Sequence, residues 1–139
     1  PAMHEESAPP YQLPILERFG LNCYGCCEPL DLKLDFLLER VPRLRRVSIS
    51  PWADVRRSAE KLGGDLIFSW KPNPAPLAAV TFDDDAVRRD IRETLAVAAE
   101  YGCVLEIILK DTHTCNHAPE CFDRWARVAM EEALKSRDV

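Results

Sequence analysis

The chain has 139 residues, 47% apolar and 29% charged, which suits one domain with a buried core. Its formal net charge of −5 argues against nucleic acid as the main partner, since phosphate binding needs clustered Lys and Arg; the one basic cluster, Arg43, Arg45 and Arg46, reads as a solvated strand edge. No apolar run approaches the ~18–20 residues of a membrane span, so no membrane partner is expected.

In chain order, residues 1–10 are Pro-rich and polar and read as a flexible lead-in to a single domain over residues 11–139. The start, Pro1-Ala2-Met3-His4-Glu5-Glu6, lacks a basic n-region and an apolar h-region, so no signal peptide is expected and the location reads as cytoplasmic. A first residue other than Met suggests a cut chain. Leu13, Ile15, Leu16 and Phe19 mark a short helix that Gly20 can end. Leu21 to Cys26 reads as a strand, and the stripe Leu32, Leu34, Leu37, Leu38 and Val41 as a helix stopped by Pro42. Arg45 to Ser50 is a second strand closed by Pro51. Ala53 to Leu62 is helical, with Gly63-Gly64 as its stop. Asp65 to Trp70 is a third strand. The prolines of Lys71-Pro72-Asn73-Pro74-Ala75-Pro76 argue against regular structure there. Asp83, Asp84 and Asp85 open a helix from Ala86 to Tyr101, and acidic residues suit that end. Val104 to Leu109 is the fourth strand, Asp111 to His117 a polar loop, and Pro119 opens a last helix to about Leu134.

Strands alternating with helices of this size imply parallel pairing with right-handed crossovers. The expected fold is α/β: a short helix, then four parallel βα units forming half of a (βα)8 barrel. In such folds ligands meet the carboxyl ends of the strands. The four ends here carry Cys26, Cys27 and Glu28; Trp52 and Asp54; Lys71 and Asn73; Lys110, Asp111 and His113. A functional rim of catalytic and binding groups is therefore expected.

Six cysteines without a secretion signal point to metal binding, thiol chemistry or plain burial. Cys23 and Cys26 form a Cys-x-x-Cys, but alternation on a strand sends them to opposite faces, which argues against a dithiol. A closed zinc site would need a second Cys-x-x-Cys. A catalytic metal needs three protein ligands, and Cys26 or Cys27, Glu28 and His113 are the candidates. His113, next to the carboxylate of Asp111, is suited to act as general acid or base or as a ligand; a helix-capping role is the alternative. Lys71 and Lys110 can hold anionic substrate groups or remain solvated. Trp52 and Trp70 can wall a flat ligand or plug the mouth. Cys103 reads as a small buried apolar residue.

Pro10-Tyr11-Gln12-Leu13-Pro14, Cys23-Tyr24-Gly25-Cys26-Cys27-Glu28-Pro29-Leu30, Val47-Ser48-Ile49-Ser50-Pro51-Trp52-Ala53-Asp54, Lys71-Pro72-Asn73-Pro74 and Lys110-Asp111-Thr112-His113-Thr114 resemble the C-terminal half of the uroporphyrinogen decarboxylase superfamily. The resemblance covers roughly residues 10–135 and is closest to decarboxylase-like members of that group. It implies a (βα)8 barrel fold. It also implies either methyl transfer assisted by zinc, with a corrinoid as methyl donor or acceptor, or decarboxylation of a carboxylated tetrapyrrole-type substrate. In the methyltransferase branch Cys26 takes the first Cys position, Tyr24 stands where that branch has His, Glu28 can substitute, and His113 or Cys115 is the distal ligand. In the decarboxylase branch His113 matches the histidine of the last βα loop, with the lysines contacting carboxylates. Four βα units leave two open sheet edges, so a homodimer, a second half-barrel chain or a truncated, non-catalytic piece are the other expectations.

Overall fold

The computed structural model describes residues 2–7, 9–25 and 27–136. Two short helices, α1 (Ala2–Ser7) and α2 (Pro9–Leu16), come first. They run through the segment expected as an irregular lead-in, and Pro9 is buried. Then follow β1 (Asn22–Tyr24), α3 (Leu34–Arg40), β2 (Leu44–Ile49), α4 (Val55–Leu62) and β3 (Ile67–Trp70). The one-turn α5 (Ala75–Ala78), α6 (Asp84–Glu100), β4 (Val104–Ile107) and α7 (Glu120–Lys135) complete the chain. The strand and helix order is the expected one. The turn of α5 is the departure: Asn73 Oδ1 accepts the amide of Ala75 and starts a helical turn that three prolines would otherwise discourage.

The strands form one four-stranded sheet in the order β1-β2-β3-β4, and every pairing is parallel. Sequential order with helical crossovers follows from the shortness of the strands and the rule that parallel neighbours need a long return. The helix starts are chemically marked. Asp54 accepts the amide of Arg57 at 2.8 Å and Asp83 that of Ala86 at 2.9 Å, each a side-chain N-cap.

Strand alternation divides the sheet into two unlike faces. Val47, Ile49, Phe68 and Trp70 are buried in one core cluster with Leu34, Leu37, Ala59, Leu62 and Ile91 of α3, α4 and α6. By the pairing register, the opposite face carries the rows Cys23-Arg46-Ile67-Val104 and Ser48-Ser69-Glu106. Lys71 continues this face, because its amide donates to Ile49 O at 2.9 Å and keeps the ladder intact for one residue more. The second face is thus mostly small or polar. Arg46 spans it, with its guanidinium 3.1 Å from Cys23 Sγ and 3.1 Å from Glu106 Oε2. The basic cluster of the sequence is therefore not simply solvated edge: Arg46 is an inner tie, and Arg43 donates to Phe19 O and Glu17 O, fastening the α2–β1 connection.

Helix α7 packs along α6 and is clasped to it by charge. Glu132, only 3% exposed, receives Arg88, Arg92 and Lys135, while Arg124 pairs with Asp84. Among the described residues no helix is long and apolar enough to cross a membrane.

Candidate active site at the strand ends

Three strand ends converge on a compact polar cluster. Lys110 Nζ lies 3.5 Å from Cys27 Sγ and 3.4 Å from Asp111 Oδ2, and the Cys27 thiol donates to Asp111 Oδ2 at 3.5 Å. Lys71, from the end of β3, is 8% exposed and reaches Lys110. Burial first, and then the hydrogen bond and charge of Lys110, lower the pKa of Lys71. Lys110 moves the other way: its hydrogen bonds to Lys71 and Cys27 raise it, with Asp111 adding to the effect. Of the two amines, Lys110 therefore keeps its proton and Lys71 yields its own more readily. Asp111 adopts φ 60, the left-handed region, which Asp enters more readily than most residues. Unusual backbone of this kind gathers at sites where the surroundings over-determine it.

Beneath the cluster lie two hydroxyls without partners. Ser48 Oγ and Ser50 Oγ are buried and accept or donate no hydrogen bond among the described residues. Ser50 is 0% exposed and occupies the position beside Lys71 on the neighbouring strand. Gly25 closes the floor on the other side, because a Cβ there would overlap Ser48 Cβ. Its lack of a side chain lets the end of β1 settle against β2. A buried hydroxyl left unpaired costs ~1–3 kcal/mol, so two of them next to a buried lysine are a plain candidate for ligand contacts.

The other expected site residues lie as follows. Asp54 is occupied as the N-cap of α4, and Asn73 Oδ1 accepts from the amide of Ala75 at the start of α5. Glu28 pairs with Lys33 at 2.5 Å. Trp52 is 69% exposed. Trp70 is buried on the helix side of the sheet, because it shares the parity of Phe68 and cannot also line the opposite face. His113 is exposed on the loop after β4 and forms no hydrogen bond with Asp111 among the described residues. Cys26 lies outside the described residues. Cys103 is half-buried, donates to Ala59 O at 3.4 Å, and has its thiol pushed up by burial.

Zinc was expected on Cys26 or Cys27, Glu28 and His113. Among the described residues no three His, Cys, Asp or Glu side chains come together in a way that could hold a metal ion. Cys26, one of the expected ligands, lies outside the described residues. Ser48, Ser50 and Gly25 escaped attention in the sequence. Their signal was present: serines alternate with Val47 and Ile49, where a doubly covered parallel strand would be continuously apolar.

Compared with protein-family models, curated proteins and solved structures, the chain matches none.

Proposed function

We propose that the chain is half of a (βα)8 barrel of the uroporphyrinogen decarboxylase kind, and that its rim binds a small carboxylated substrate in a decarboxylase-like reaction. The single observation that carries this is the meeting of the buried Lys71 with Lys110 at the ends of adjacent strands. Two amines on adjacent strands form an electropositive end to a polar face, and hydroxyl donors supply the short-range contacts that orient a carboxylate. Asp111 and Cys27 would steady Lys110 as a cation and leave Lys71 to face the substrate. Decarboxylation is favoured over zinc-assisted methyl transfer because two amines meeting at adjacent strand ends suit a carboxylate.

Calorimetric titration with glutarate tests the reading. Binding is expected, weakened about tenfold by Lys110→Met, the loss of one charge-assisted contact. An unchanged titration in Lys110→Met, or none in the parent chain, sinks it.

A second reading concerns completeness and rests on β1 and β4, which are unpaired edges among the described residues. A second copy or another half-barrel chain would close these edges and finish the rim.

A further inference from the structure

Lys71 is placed unlike the other described lysines. Its backbone is held in the sheet through Ile49 O, so its stem leaves a rigid strand end rather than a loop. It is 8% exposed, yet among the described residues no carboxylate lies within ion-pair range of it. Asp111, the nearest acid in the cluster, is engaged by Lys110 and Cys27. By contrast Lys33, Lys61 and Lys135 each pair with a carboxylate. A buried ammonium without a counter-ion is costly, and the cost falls if the amine sheds its proton. The second cation, Lys110, pushes the same way. An amine that yields its proton more readily than an exposed lysine, on a fixed stem beside a retained positive charge, has the requirements of a carbonyl-directed nucleophile.

We propose that Lys71 is an imine-forming nucleophile for a small 3-oxo acid, with Lys110 holding the acid's carboxylate and Ser50 lying beside the reacting carbonyl. This deepens the carboxylate reading above and rests on it for the role of Lys110. The Lys71 Nζ lone pair attacks the carbonyl carbon. A C–N bond forms, the carbonyl oxygen leaves as water, and a proton from solvent leaves the imine protonated. The bond from the α-carbon to the carboxylate then breaks. Carbon dioxide departs and its electron pair enters the protonated imine, giving an enamine. Solvent protonates the α-carbon, and water hydrolyses the imine to return the free amine and a ketone. The net change is 3-oxo acid plus a proton to ketone plus carbon dioxide, with no oxidant or reductant.

Trapping tests it. The whole chain is incubated with 3-oxobutanoate and sodium cyanoborohydride, which reduces an imine to a stable secondary amine, and the adduct is located by peptide mass mapping. The expected result is labelling concentrated on Lys71, absent in Lys71→Arg, slowed about tenfold in Lys110→Met, and unchanged in Lys61→Arg. Labelling spread over Lys33, Lys61 and Lys135 without preference for Lys71 overturns the proposal, and this readout on the parent chain does not depend on any variant folding. Glutarate, which has no carbonyl, separates the two readings. Glutarate binding without trapping at Lys71 overturns the imine alone. Trapping at Lys71 without glutarate binding supports the imine and overturns the carboxylate role of Lys110.

Discussion

The hydroxyl of Ser50 sits fully buried beside Lys71 with nothing to bond. In the free protein such a group is a defect, because it has left water without compensation. Ser50→Ala is therefore expected to raise the stability of the ligand-free chain, by up to ~1 kcal/mol in urea unfolding, while weakening glutarate binding. A loss of stability instead would mean that the hydroxyl already has a partner and is no ligand contact. Lys71, Lys110 and Asp111 could be singled out from the sequence, since strand-end positions follow from hydrophobic runs. Their convergence with Cys27 could not, because that contact crosses a separation of 83 residues in the chain and depends on how the sheet brings its ends together. His113 lies on an exposed loop after β4, whose path local pattern does not determine.

At the scale of elements, helix α7 depends on Glu132. Arg92, Lys135 and Arg88 hold its carboxyl at about 2, against an ordinary value of 4.5. A folded pKa below the unfolded one means that the ionised form stabilises the fold. That contribution is complete above about 4.5 and disappears as pH falls through about 2. Glu132→Gln is expected to cost ~1–3 kcal/mol at neutral pH, less than a fully enclosed charge because Arg92 can return to water. Parent and variant should converge near the acid end of a denaturation series run from pH 7 downward. A constant gap across that series would assign the loss to packing instead. Both helices were legible in the sequence, α6 through the acidic run Asp83 to Asp85 at its start and α7 through Pro119 at its opening. The clasp between them was not readable, since charged residues on a helix face usually mean only solvent. The N-terminal helices were missed in part because prolines suggest irregular chain, although Pro is well tolerated in a first turn.

The molecule as a whole is a parallel sheet with helices between its strands and an inner face on which serines, Arg46 and Glu106 are prominent. Parallel sheets are ordinarily covered on both faces. Here β1 and β4 are open edges among the described residues. Light scattering is accordingly expected to give twice the mass of a single chain. A concentration-independent monomer would count against pairing of two copies and leave a different chain as the completing half. Periodicity and the crossover rule made the α/β class and strand order available from sequence. They do not say whether four units curl into an arc, because curvature arises from contacts between strands that are not neighbours.

The Arg46–Glu106 pair is such a contact. It reaches from β2 to β4 over the intervening strand, and second-neighbour strands in a flat sheet stand about 9–10 Å apart. Both side chains are more than a third exposed, at 39% and 37%, so the pair adds little to folding energy. Its effect is geometric: it ties β2 to β4 across β3 and limits how far those strands can move apart on this face. Salt, which slackens exposed ion pairs, would then loosen this tie on the face that leads to Lys71 and Lys110 without unfolding anything, so that the spacing of its side chains becomes a property of the surrounding electrolyte as well as of the chain.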